Sequence, residues 1–317
     1  MSEPNPRVRH HEVLAEEAGQ RIDNFLLRQL KGLPRSRVYR LLRRGEVRVD
    51  GGRARPTRRL RAGEVVRIPP VTQPRQAEAA APSRGLAERL RGAVLYEDER
   101  LLVLDKPSGL AVHGGSSVGL GLIEAMRQLR QELRFLELAH RLDQETSGCL
   151  MLAKRRSTLR RLHEQLRQGR IEKRYTALLT GALQQDRRRV EAPLERLGGA
   201  PRERQVRVSE QGRQARTTFE VLRRYRRACL VDARLGTGRT HQIRVHARHL
   251  GHPVAGDDRY GDRRANAELR RSGLRRLFLH AARLQFHHPD SGEAVSVEAP
   301  LSGDLQTVLE ALAAGEH

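Results

Sequence analysis

FLELAHRLDQETSGCLMLAK (residues 135–154) sets two short apolar runs around a polar loop. FLELA and GCLMLAK are bounded by turn-forming residues and are short enough to read as strands. The loop between them, HRLDQETSG, carries one aspartate, Asp143, after a histidine and an arginine. Loops held at strand ends are where functional groups concentrate. An aspartate also bonds neighbouring amides well, so on this residue alone a turn or capping role is ahead. Working outward, AVLYEDERLLVLDKP gives two more β-like runs around a polar turn. GLIEAMRQLRQELR spaces Leu122, Met126, Leu129 and Leu133 as a helix. STLRRLHEQLRQG reads as a helix opened by Ser157 and closed by Gly169, with Leu159, Leu162 and Leu166 on its buried face. KRYTALLTG, TTFEVLRRY and ACLVDARLGTG are strand-like. This mixture predicts an α+β domain with a largely antiparallel, mixed sheet flanked by helices and loops.

Residues 20–70 read as a separate module. QRIDNFLLRQLKG places Ile22, Phe25, Leu26 and Leu30 on one helical face. Gly32 and Pro34 precede a second helix for which Ser36 is the expected N-cap, with Val38, Leu41 and Leu42 facing inward. Arg37, Arg40 and Arg44 lie three and four apart and form a basic stripe on the other side. Gly45 can end that helix, and short strands follow. A charged stripe is usually no more than a solvated face. The whole stretch, however, resembles the S4 RNA-binding domain in RIDNFL, SRVYRLLRRGEVRVDG and LRAGEVVRIPP. The resemblance implies an α/β RNA-binding module whose face bearing Arg35, Arg37, Arg40 and Arg44 meets RNA phosphates. The expected organisation is an extension over 1–19, the module over 20–70, a linker over 71–92 rich in Ala, Pro and charge, and a main domain over 93–317.

Lys+Arg is 61 against Asp+Glu 38, a formal net charge of +23. That excess favours a polyanion, nucleic acid first. Only four lysines occur, so a composition bias toward arginine competes with this reading, but replacing Lys by Arg creates no excess charge. Two cysteines, Cys149 and Cys229, suit a reducing cytoplasm rather than a disulfide framework. MSEPNPRVRHHEV lacks the apolar core of a signal peptide, and no run approaches the roughly 20 apolar residues of a membrane span. We therefore expect a cytoplasmic protein. Tryptophan is absent and aromatics are 3%, which disfavours a broad base-stacking surface.

Familiar chemistries lack their signatures. There is no GxxxxGK[ST] and no GxGxxG. His241 and His246 are five apart, which breaks the zinc-binding HExxH face. What remains is a set of polar loops beside strands: KPSGLAVHGG, HRLDQETSG, the Tyr175 strand KRY, and LGTGRTHQIRVHARHLGHPVAGDDRYG. In this order and combination they are similar to the RluA-type family of pseudouridine synthases over about residues 93–300. Gln144 and Glu145 depart from the commonest form of the loop, Arg-Asp, and change its charge.

The resemblance implies an isomerase that converts uridine to pseudouridine in 23S (large-subunit) ribosomal RNA, without a cofactor or a metal, and we expect a monomer. It makes Asp143 the catalytic carboxylate, as nucleophile or as base. Arg244 then pairs with Asp143 through a forked hydrogen bond and keeps it ionised; otherwise Arg244 is one more exposed helix arginine. Tyr175 stacks on the uracil, where a core tyrosine is the plain reading. Arg141 fills the space a flipped base vacates, where a phosphate contact is the plain reading. His140 and Thr146 support the loop and border the substrate, and Lys106 and His113 line the RNA groove. Two other readings stand beside this one: a non-catalytic RNA-binding or ribosome-assembly factor on the same fold, and a metal-dependent nuclease built on some of the 13 histidines.

Overall fold

The computed structural model describes residues 8–30, 33, 35–71, 81–114, 120–198 and 205–315. The chain divides into two compact units, residues 1–80 and 81–317.

In the first unit, the helix Ile22–Gln29 buries Ile22, Phe25 and Leu26, and Leu30 is buried just after it. The helix Arg35–Arg44 buries Val38, Leu41 and Leu42 against the same core. Ser36 lies inside this helix, not at its N-cap; Gly32 and Pro34 lie outside the described residues. Arg40 and Arg44 are exposed, Arg37 is half-buried, and the side chain of Arg35 lies outside the described set. Gly45, at φ +70°, ends the helix in the left-handed region. A four-stranded sheet covers the helices in the order Arg9–Glu12, Val65–Ile68, Arg48–Val49, Gly52–Arg53. The strand Arg9–Glu12 pairs antiparallel with Val65–Ile68 and Val13 joins the core, so residues placed in an extension by their polarity are part of this unit's fold.

The second unit is built on a ten-stranded sheet. Its main path runs Arg187–Glu191, Arg216–Tyr225, Ala228–Leu235, Glu172–Thr180, Leu279–His287, Ser147–Ala153, Leu101–Lys106, Val94–Glu97. Every pairing is antiparallel except that between Leu279–His287 and Ser147–Ala153. Ser147–Ala153 is buried along its whole length. Leu150 and Leu152 join one core cluster, Cys149 and Met151 another, which is why this strand reads as a continuous apolar run rather than an alternation. At its start, Gly148 has φ +104°, and a Cβ there would sit 2.3 Å from the Ala281 carbonyl oxygen. Only glycine lets the strand that leaves the Asp143 loop lie this close to its parallel neighbour.

The helix Arg84–Gly92, capped by Ser83, contributes Leu90 to the larger unit's core, within the stretch read as a linker. Leu122–Leu129 ends before Leu133. The helix Arg156–Arg167 contains Ser157 and has Arg155 at its N-cap with no side-chain cap bond, so that serine does not open it. Leu162 is its fully buried leucine; Leu159 and Leu166 pack partly buried. Among the described residues no helix is long and apolar enough to cross a membrane.

Candidate active site

The Asp143 loop leaves the short strand Glu137–Leu138 and enters Ser147–Ala153. Thr146 N–H donates to the Asp143 carbonyl at 3.1 Å and closes the turn. The loop is fastened from two sides. His140 Nε2 accepts from Met151 N–H at 3.1 Å, which requires the neutral ring. Burial first, and then the Lys173 charge, push the His140 pKa down to about 3, in agreement. On the other side, Lys106 Nζ donates to the carbonyls of Pro107, Leu110 and Gln144, each at 2.9 Å. Burial pushes Lys106 down to about 7 while Glu145 and Asp143 pull it up. Three carbonyl acceptors require three N–H donors, which only the ammonium supplies.

Lys106 is fully buried, so it clamps two loops and does not line an RNA groove. The same clamp accounts for Gln144 and Glu145. Gln144 carbonyl accepts from Gly109 N–H at 2.9 Å, and Glu145 carbonyl from Ser108 Oγ at 2.7 Å. Both residues are exposed, and the Gln144 side chain adds a further tie, its Nε2 donating to the Gly109 carbonyl at 3.0 Å. His113 is also away from the cavity; its ring lies 3.9 Å from Glu124.

Arg141, Asp143, Thr146, Tyr175 and Arg244 converge on one cavity of about 60 Å³, whose remaining walls include Leu142, Leu235, Ile243 and Leu279. Arg239, His241 and Gln242 also line it, so apolar walls alternate with polar and charged groups, which suits a flat base with hydrogen-bonding edges. Arg244 sits on the helix Gln242–His249 and is 8% exposed, not the solvated arginine its setting suggests. Its Nη1 lies 3.5 Å from Asp143 Oδ2. The fork goes elsewhere: Nε and Nη2 donate to Asp257 at 2.7 and 2.8 Å. Asp257 thus takes the bidentate hydrogen bond expected of Asp143. Burial would raise the Asp257 carboxyl, but the Arg244 bonds and charge, with the amides of Tyr260 and Arg259, hold it below the usual range. Arg244 also lies over the Tyr260 ring, 5.1 Å from its centroid.

His241 completes the group. It holds φ +54°, the left-handed region, just before the helix, which turns its ring into the cavity. Its Nε2 is 3.8 Å from Asp143 Oδ2, and its Nδ1 is 2.7 Å from the Tyr260 hydroxyl. Burial outweighs the Asp143 charge and lowers the His241 pKa, favouring the neutral ring. Gln242 locks the preceding loop: it accepts from Thr237 Oγ1 and Arg239 N–H and donates to Arg216 carbonyl and Thr217 Oγ1. Tyr175 is buried, and that burial, then the Asp143 charge, raises its pKa, so the phenol stays protonated. Arg141 is exposed at the cavity mouth with no carboxylate in ion-pair reach among the described residues.

Sequence reasoning named no role for His241, Asp257 or Tyr260, although all three stand in the quoted motifs THQIRVH and GDDRYG. The available signal was Arg244 itself: a buried guanidinium needs a buried carboxylate, and residues 257–258 are the next acids along the chain.

The RNA pseudouridylate synthase model matches residues 100–249, and the S4 domain model matches 20–66. Ribosomal large subunit pseudouridine synthase C of Salmonella typhimurium is 51% identical over 98% of this chain and 99% of its own. The chain belongs to the RNA pseudouridylate synthase family. Its Escherichia coli K12 relative of the same name is likewise 51% identical, with the same coverage. Among solved structures of the family, human RNA pseudouridylate synthase domain containing 4 is 26% identical with a TM-score of 0.61, covering 72% of this chain and 96% of that one. This family consists of isomerases, and nothing in it favours a non-catalytic RNA-binding factor. Among the described residues no group of three or more His, Cys, Asp or Glu side chains could hold a metal, so the nuclease reading finds no donor set.

Proposed function

We propose that this protein isomerises uridines to pseudouridine in large-subunit ribosomal RNA, with Asp143 as its catalytic carboxylate. The observation that carries the reading is the near full-length 51% identity to large-subunit enzymes, together with an Asp143 carboxylate lining a small cavity beside Arg244. The reaction breaks the N1–C1′ bond, turns the uracil and joins C5 to C1′, releasing the C5 hydrogen. Asp143 either attacks the sugar or removes a sugar proton; both uses need its charge. Tyr175, held protonated, serves as a stacking surface and hydrogen-bond donor rather than as a resident base. A uridine in folded RNA must first leave its stack, at a cost of a few kcal/mol. Arg141, with no carboxylate in ion-pair reach among the described residues, puts its planar guanidinium in the gap. His140 and Lys106 hold the loop, Thr146 shapes its turn, and no group donor or redox cofactor enters this chemistry. The reading places the protein with ribosomal RNA in the cytoplasm, working as a monomer.

Tritium release from unmodified ribosomal RNA transcripts carrying uridine tritiated at C5 tests it. Release with stoichiometric pseudouridine is expected; its absence on the large-subunit transcript contradicts the proposal.

The S4 domain adds affinity through its basic helix. Replacing Arg37, Arg40 and Arg44 with Ala should weaken RNA binding and reduce the slope of log affinity against log salt by about 2 to 3. An unchanged slope would mean that the stripe is only solvated surface.

A further inference from the structure

Next to the uridine cavity is a larger one, about 450 Å³, and Leu235 lines both. Arg170, Lys173, Arg187, Arg189, Arg216 and Arg234 border it, with Glu172 as the one carboxylate among its lining residues. Most of these arginines have rim partners. Arg234 meets Glu172 at 3.0 Å, Arg187 meets Glu220 at 3.5 Å, and Arg189 and Arg216 share Glu191. These are exposed pairs, weakly held and easily exchanged for another anion.

Lys173 differs. No carboxylate lies within ion-pair reach of it among the described residues, and burial alone lowers its pKa. The loop over residues 236–238 closes on it so tightly that a Cβ on Gly238 would lie 3.2 Å from Nζ. Lys173 is half-buried, and a partly desolvated cation with no counter-ion is costly to keep. Lys173 also stands two residues before Tyr175 in the strand Glu172–Thr180. Both side chains therefore rise from the same sheet face, roughly 7 Å apart along the strand. That is about the span of one nucleotide in an extended chain. Its charge reaches His140, next to Arg141.

We propose that this groove is a phosphate subsite in which Lys173 binds the phosphodiester next to the uridine held over Asp143. The missing counter-ion of Lys173 is then the RNA backbone, and the rim arginines exchange their glutamates for further phosphates. The assignment rests on the uridine-isomerase reading.

Phosphate-ethylation interference tests it. Large-subunit RNA transcript, randomly ethylated at its phosphates, is partitioned by binding to wild type, Lys173→Met and Lys173→Arg. Wild type should exclude RNA ethylated at a linkage flanking a uridine it isomerises. Lys173→Met should lose that exclusion alone, keep the wild-type melting midpoint, and show a salt slope smaller by about 0.7 to 0.9. Lys173→Arg should recover part of the exclusion. The same interference in wild type and Lys173→Met overturns the subsite. So does a loss spread over all linkages, which would mean general misfolding of the groove. Interference reads binding without turnover, so failure of the isomerase reading shows separately, as no tritium release from the wild type.

Discussion

Asp143→Asn is expected to lower tritium release from uridine tritiated at C5 by on the order of 10³-fold or more, with fold and RNA affinity close to wild type. The substitution keeps the shape of the side chain and removes its charge, which both routes through C1′ require. The fold should tolerate it because Asp143 is not the main partner of Arg244. That arginine keeps two hydrogen bonds to Asp257 when Asp143 is neutral, so no buried charge is stranded. Thermal melting and filter binding on the same preparation check those two points. Release equal to wild type would remove Asp143 from the chemistry.

Asp257→Asn should do the reverse: damage the fold first and activity through it. Asp257 is fully buried, and it accepts both arms of the Arg244 fork and the amides of Arg259 and Tyr260. Removing one partner of a buried pair typically costs about 3 to 5 kcal/mol, since the other charge is left without compensation. Among the described residues the one remaining carboxylate within reach of Arg244 is Asp143, at 3.5 Å, so the guanidinium should shift toward it and occupy the oxygen the substrate needs. Adding Arg244→Met should recover much of the stability and none of the activity. The pH dependence has a fixed sign. The Asp257 carboxyl is held low in the fold, so its contribution is complete above the unfolded value of about 3.9 and is lost as pH falls through the folded value. Denaturant titrations should therefore show a wild-type advantage that is constant near neutrality and shrinks below about pH 4. An advantage that grew on acidification would mean that Asp257 is not held as a carboxylate.

Periodic burial was legible in the sequence. Ile22, Phe25 and Leu26 on one helix, and the apolar run from Cys149 to Ala153, follow from which faces must leave water, and local spacing records that. The strand Arg9–Glu12 was not legible. It is a short edge strand, almost wholly exposed, so it carries no alternation, and only its pairing with Val65–Ile68 defines it. The helix starts near Ser36 and Ser157 were misread because a serine close to a start resembles a cap, while backbone geometry decides the position. At the site, the family motifs marked the loops that meet, and residue types alone did not. What they could not give is which acid takes the fork of Arg244, or that Lys106 faces three carbonyls rather than RNA. Both depend on contacts between segments distant along the chain.

Pseudouridine mapping of large-subunit ribosomal RNA from cells lacking this gene, complemented with wild type or with Asp143→Asn, tests the central claim most directly. Particular uridines should be unmodified without the gene, be restored by the wild type, and stay unmodified with the asparagine variant. An unchanged pseudouridine profile in the cells lacking the gene, or restoration by Asp143→Asn, would contradict it.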